Sequence, residues 1–76
     1  MNVTVKLHGP FRIGRFKEEV RGFPPGATPR TVAEALRLPA ALVDTGIVLI
    51  GGVHARLDDP LADGDELSLL PPLEGG

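Results

Sequence analysis

The sequence contains no cysteine, no tryptophan and no tyrosine. Without cysteine there is no disulfide framework, no thiolate nucleophile and no cysteine-ligated metal site. No stretch approaches the roughly 20 apolar residues that span a bilayer, and the alternating N-terminal residues lack the apolar centre of a signal peptide. We therefore expect a cytoplasmic protein with no membrane partner.

Basic residues are too few for a typical nucleic-acid-binding module. The 76 residues carry 8 Lys and Arg against 10 Asp and Glu, a formal net charge of −2, whereas such modules usually have a basic excess. Residues 11–21 are locally basic and include two phenylalanines, but Glu18 and Glu19 dilute the charge. A solvated hairpin is therefore favoured over an RNA surface, and we expect no nucleic-acid partner.

Candidate metal ligands are present but badly spaced. His8 and His54 stand alone, whereas a zinc site needs three or four protein ligands. The acidic residues of 58–66 do not fit a calcium loop, because Leu61 occupies a ligand position. We predict no metal site and assign the acidic residues to turns.

The first half of the chain predicts a strand, a second strand and a helix. Residues 3–7 alternate between apolar and polar, which is typical of a half-buried strand. Residues 17–23 would form the second strand of a hairpin. Thr28 supplies an N-cap oxygen and Pro29 suits the first helical position, while Pro39 limits this helix to about nine residues.

The second half predicts three more strands. Residues 47–50 form an uninterrupted apolar run, expected to be a central strand buried on both faces. Gly51 and Gly52 suit a tight turn with positive φ. Residues 53–56 would form a short strand that runs back after this turn, and residues 67–70 would form the last strand. The predicted fold is α+β, a mixed sheet of four or five strands with one short helix across one face. The predicted core is Val5, Leu7, Val32, Leu36, Val48, Ile50, Leu67 and Leu69.

Three stretches resemble a known family. They are the turn at residues 50–53, the run Leu-Ala-Asp-Gly-Asp-Glu-Leu at 61–67, and Leu-Pro-Pro-Leu-Glu-Gly-Gly at 70–76. Together with the order of strands and helix, they resemble the ubiquitin-like β-grasp sulfur carriers, which include the small subunit of molybdopterin synthase and the thiamine sulfur carrier. Gly51 replaces the family's usual asparagine, and the first hairpin is unusually long and basic.

The resemblance implies a cosubstrate with no active site and no bound cofactor. An E1-like enzyme would use ATP to adenylate the carboxylate of Gly76, and sulfur would then displace AMP to leave a thiocarboxylate. The sulfur-accepting enzyme would be the molybdopterin synthase large subunit or thiazole synthase. Gly75 and Gly76 have no Cβ, so they can enter a narrow channel. The two prolines favour a carrier for synthesis of a molybdopterin-type cofactor of molybdenum or tungsten. Three alternatives stay open: a sulfur carrier for thiamine or another metabolite, a ubiquitin-like modifier joined to lysines, and an interaction module whose two glycines are accidental.

The domain is expected to span residues 1–70, followed by a flexible tail at 71–76. Pro71 and Pro72 have fixed φ and no amide donors, so they would end the last strand and start a stiff, extended lead. Leu73 and Glu74 would carry this lead on to the two glycines. This tail is too short for a specific interface, which needs about 20–30 residues a side.

The body of the domain must therefore dock as well. The expected docking surface is the face of the sheet opposite the helix. Val53 and Leu73 are predicted to lie near the exit of the tail, and Arg12 and Arg15 to steer an acidic partner by charge.

Overall fold

Five strands and three helical segments lie within residues 1–73, which are the residues that the computed structural model describes. In chain order they are β1 (Asn2–Leu7), a 3-10 helix (Gly9–Arg12), β2 (Glu18–Gly22), α1 (Pro29–Ala35), α2 (Ala40–Thr45), β3 (Ile47–Ile50), β4 (Val53–His54) and β5 (Glu66–Leu70).

The strands form one mixed sheet in the order β2-β1-β5-β3-β4. β1 and β5 are parallel, and the other neighbours are antiparallel. The prediction of a mixed sheet in an α+β fold is confirmed. The predicted central strand is wrong, because β5 occupies the centre. In β3 only Val48 is buried, since β4 is two residues long and no helix covers the second face of β3.

Two α-helices lie on the buried side of the sheet, where one was predicted. α1 starts as expected: the Thr28 hydroxyl accepts from the Thr31 amide, the Thr31 hydroxyl accepts from the Thr28 amide, and Pro29 opens the helix. This reciprocal cap satisfies donors that would otherwise have no partner. α1 ends at Ala35, and Arg37 then adopts a positive φ of 56°. Beyond Pro39, where the sequence indicates only a short turn over residues 40–42, the chain forms a complete second helix.

The turns follow local chemistry. Gly51 and Gly52 both have positive φ, 58° and 79°, and connect β3 to β4 as predicted. In the acidic loop, the Asp63 carboxylate accepts the Asn2 amide at 2.6 Å and the Asp65 carboxylate accepts the Ala62 amide at 2.8 Å. These carboxylates hold turns, and residues 1–73 contain no cluster of three or more metal-ligating side chains. No helix within this range is long and apolar enough to cross a membrane.

The core lies between one face of the sheet and the two helices. Six of the eight predicted core residues are buried, and Leu36 and Ile50 are half-buried beside them. Leu36 is the C-cap of α1, so its side chain does not point fully inward, and Leu38 is buried instead. Prediction from the sequence also missed Phe11, which is 1% exposed. The buried cluster is Val3, Val5, Leu7, Phe11, Val32, Ala33, Leu38, Val43, Val48, Leu61, Leu67 and Leu69.

This arrangement predicts different costs for two nearby leucines. Leu38→Ala should lower the free energy of unfolding by about 2–5 kcal/mol, the usual cost of truncating a buried leucine. Leu36→Ala should cost about half as much, because less of its apolar surface leaves water on folding. Urea unfolding of both variants measures the difference, and equal losses would contradict the placement of Leu38 in the core.

Candidate functional site at the end of the central strand

The segment that follows β5 leaves the sheet between two other chain segments. β5 lies between β1 and β3, so its end is flanked by the residues after β1 and those before β3. The Leu69 carbonyl accepts the His8 amide at 3.2 Å, and Leu70 pairs with Ile47. The tail exit is therefore defined on both sides by ordered backbone.

Pro71 and Pro72 pack against the body of the domain. Both are half-buried, and a Cβ added to Gly9 would lie 3.4 Å from Cγ of Pro71. Leu73 is 83% exposed. The expected reactive end of the tail, Glu74, Gly75 and Gly76, lies outside the described residues. Within the described part, Pro71 and Pro72 continue from β5 and remain in contact with the domain.

The face of the sheet opposite the helices is divided into an apolar and a charged half. Register places Ile47, Leu49 and Leu70 together on this open face, and all three are half-buried. We call these three residues the apolar patch. It adjoins the tail exit directly, because Ile47 and Leu70 are paired partners.

The charged half of the open face centres on Lys6. Its ammonium group lies 2.6 Å from a Glu66 oxygen and 3.8 Å from a Glu18 oxygen. The hydrogen bond to Glu66 raises the pKa of Lys6. Exposed pairs of this kind add little stability.

Val53 does not lie near the tail exit, where it was expected. It pairs with Ile50, whereas the exit is beside Ile47 at the other end of β3. Three residues of strand separate these positions, about 10 Å at about 3.3 Å per residue. Val53 is 69% exposed and shares its face with Ile50, whose neighbour Leu67 is buried. The structure therefore separates Val53 from Leu73.

Arg15 is engaged in internal hydrogen bonds. Its guanidinium donates to the carbonyls of Leu36 and Arg37, both at 2.9 Å, and to those of Ile13 and Phe11 at 3.2 and 3.4 Å. The planar guanidinium presents several donors in one fork, and here it joins the turn after the 3-10 helix to the end of α1. This position gives Arg15 a structural task that the sequence did not reveal.

Arg12 and Lys17 are exposed cations of the first hairpin. Arg12 Nε donates to the Leu7 carbonyl at 2.7 Å, yet the residue remains exposed, and so does Lys17. Both stand close enough to His8, beside the tail exit, to act on its charge.

The imidazole of His8 is disfavoured in its charged form. Partial burial, followed by the positive charges of Arg12, Lys6 and Lys17, lowers the pKa of His8 from 6.5. The tail exit thus combines an apolar patch on one side with a concentration of positive charge on the other.

The geometry of this fold can be compared with known structures. No protein-family model matches the chain, and no curated protein does. The small archaeal modifier protein SAMP1 from Haloferax volcanii is similar, with 28% identity, a TM-score of 0.75 and 100% coverage of both chains. So is a chain from the complex of subunits 1 and 2 of the molybdopterin-converting factor from Helicobacter pylori, with 25% identity, a TM-score of 0.65 and 100% coverage of both. Ubiquitin from Caldiarchaeum subterraneum, at 21% identity, has a TM-score of 0.59 over 100% of this chain and 98% of its own. The fold is the ubiquitin-like β-grasp.

The resemblance drawn from the three sequence stretches is confirmed by these β-grasp neighbours. The apolar patch was missed, because residues 47–50 were interpreted as a strand buried on both faces. The signal was available in part: Leu70 precedes two prolines and alternates with the buried Leu69. Its pairing with Ile47 is a long-range register, however, which no local pattern specifies.

The role of Arg15 predicts a loss of stability. Arg15→Lys should lower the free energy of unfolding by about 1–3 kcal/mol, since an ammonium group cannot reach the separate carbonyls that the guanidinium serves. Arg12→Lys, with one such bond to replace, is the matched control and should cost less. Equal urea midpoints for the two variants would contradict this assignment.

The low pKa of His8 predicts a loss of stability in mild acid. An imidazole with a lower pKa in the folded state binds its proton less tightly when folded. Stability is therefore complete above the unfolded pKa of about 6.5 and falls as the pH drops through the folded value. His8→Asn should flatten this part of the plot of stability against pH, and His54→Asn serves as a comparison.

The pKa of His8 can be measured directly by NMR titration. Arg12→Gln should raise this pKa, because it removes a positive charge. A wild-type pKa above about 6.5 would contradict the interpretation.

Proposed function

We propose that this chain is a sulfur carrier for the synthesis of a molybdopterin-type cofactor of molybdenum or tungsten. The observation that carries the proposal is the tail exit: the last strand of the sheet lies at its centre and continues, beside an open apolar patch, into Pro71 and Pro72. Full-length likeness to a chain of the molybdopterin-converting factor complex supports it.

The proposed chemistry takes place on the carboxylate of Gly76. The carboxylate attacks the α-phosphate of ATP on an E1-like enzyme, pyrophosphate leaves, and an acyl adenylate forms. Sulfide then displaces AMP and leaves a thiocarboxylate; if the donor is a persulfide, the acyl disulfide that first forms is cleaved by a second thiol, which becomes a disulfide with the donor and releases the thiocarboxylate. The chain itself contributes reach: glycines 75 and 76 have no Cβ to obstruct a channel. These steps belong to the cytoplasm, and the chain binds neither ATP nor metal on its own.

The partner surface proposed for both enzymes is the apolar patch with Leu73. The three patch residues are half-buried and Leu73 is 83% exposed, so together they present apolar surface next to the reactive tail. Such surface contributes to binding when a partner removes it from water. The neighbouring complex of subunits 1 and 2 supports a second protein as the sulfur acceptor.

Charge steering is assigned to Arg12 and Lys17, which replace the pair Arg12 and Arg15. Both cations are exposed near His8 at the tail exit, whereas Arg15 is held by four carbonyls. Long-range attraction of an acidic partner speeds association and weakens as salt increases.

The second candidate function is a protein modifier whose activated tail forms isopeptide bonds with lysines of other proteins. The full-length likeness to an archaeal modifier protein favours it specifically. Both functions begin with the same acyl adenylate, and they differ in whether sulfur or a lysine amine displaces AMP. A thiamine-type sulfur carrier differs from the leading candidate only in the enzyme that accepts the sulfur.

Activation of the tail is directly measurable. With an E1-like enzyme, ATP and a sulfide source, the intact protein should gain about 16 Da, the difference between sulfur and oxygen. Deleting Gly76 should abolish the gain, and denaturant unfolding should confirm that the body remains folded. Higher-mass adducts with other proteins, in place of the small gain, would select the modifier function. If ATP produced neither the gain of about 16 Da nor the higher-mass adducts, both the sulfur-carrier and the modifier functions would be rejected.

Docking can be tested by two charge substitutions at opposite ends of the sheet. Leu73→Asp should weaken binding to the adenylating and sulfur-accepting enzymes by about tenfold or more, because it places an unpaired charge in an apolar contact. Val53→Asp is the matched control, since Val53 is also well exposed but distant from the exit. Calorimetry measures both affinities. Equal effects of the two substitutions would place the docking surface elsewhere.

A further inference from the structure

Gly46 occupies a junction that has no room for a side chain. It follows α2 and precedes β3, directly opposite the end of β5. A Cβ at this position would overlap the carbonyl oxygen of Leu70 and stand 2.7 Å from the carbonyl oxygen of Leu42. The φ of Gly46 is −84°, which any residue can adopt. Glycine is therefore required here for space and not for conformation.

The atom that approaches Gly46 belongs to the last residue of the central strand. The Leu70 carbonyl group is part of the peptide bond that leads into Pro71, so its orientation sets the direction in which the tail begins. On the other flank, the ring of Pro71 lies against Gly9. The exit is thus a slot bounded by two glycines, one after β1 and one before β3.

The direction that the chain takes at Leu70 is kept over the next residues, because these residues are conformationally restricted. A residue before proline is restricted to extended conformations, and Pro71 and Pro72 have fixed φ. An extended segment advances about 3.1 Å per residue, so Leu73 lies about 9 Å from the slot. A rotation of about 10° at Leu70 would displace Leu73 by about 1.6 Å over that length.

We infer that Gly46 is a positioning residue for the reaction at the C-terminal carboxylate. By allowing the Leu70 carbonyl to seat against the α2–β3 junction, it aims the lead formed by Pro71, Pro72 and Leu73 in one direction relative to the docking face. The inference rests on the proposed function, in which the tail enters a partner's active site. Misplacing a reacting group by about 1 Å can cost about 100-fold in rate.

Separate measurement of kcat and KM distinguishes a misdirected tail from a simple loss of folded protein. With the chain as the varied substrate of the adenylating enzyme, a partly unfolded variant lowers the concentration of competent substrate, which raises KM and leaves kcat unchanged. A folded variant with a misdirected lead keeps the apolar patch intact, and its Leu73 is displaced but remains apolar, so it still docks. It therefore keeps KM within about threefold and loses kcat.

Gly46→Ala should lower kcat about 10- to 100-fold with little change in KM. The matched control is Gly51→Ala. Gly51 has a positive φ of 58°, so alanine strains its backbone, but a Cβ there meets no atom within 4 Å and the turn is at the far end of β3. This control should keep the wild-type kcat. An unchanged kcat for Gly46→Ala overturns the inference.

A second variant decides the matter if Gly46→Ala does not fold. Replacing Pro71 and Pro72 together by glycine removes no core residue and introduces no overlap, but it frees the lead from its fixed direction. The inference expects the same loss of kcat at constant KM, and a wild-type kcat would overturn it. Failure of the proposed function is recognised separately, since wild-type protein would then gain no mass with ATP and sulfide.

Discussion

The parallel pairing of β1 with β5 is the interaction on which the rest of this structure depends. Val5 lies opposite Leu67 and Leu7 opposite Leu69, and these four side chains are 0–2% exposed. Both helices pack on the surface that this pair creates. Because β5 is held on one side by β1 and on the other by β3, the end of β5 is surrounded by ordered backbone, which gives the tail a defined point of departure.

The two faces of the sheet differ: one packs against the helices, and the other is open. One face of the sheet is covered by helices and holds the core, while the other is left open, with an apolar half and a charged half. Arg15 illustrates the division: its guanidinium group is used inside the molecule, where it binds carbonyls that lie 21 and 22 residues further along the chain.

Local chemistry in the sequence predicted much of the fold. The cap at Thr28, the glycine turn after β3 and the acidic turns at residues 63–65 each depend on a few neighbouring residues, and each was found as expected. Features that depend on distant partners were missed or misplaced. Leu36 and Leu38 could not be ranked without the end of α1, and the exit-side location of Val53 failed because register between strands is a tertiary property.

The order of the strands has a consequence for folding during synthesis on the ribosome. The central strand of the sheet is the last of the five to be synthesised, and its partner β1 is the first. Until residues 66–70 emerge, the β1–β2 pair and the β3–β4 pair have no strand between them, and isolated two-stranded pairs are at best marginally stable. Native contacts between the two ends of a chain also form slowly, because a long loop must close first. A nascent chain interrupted before β5 would therefore have no complete sheet, so residues 66–70 must be synthesised before either face of the sheet can form.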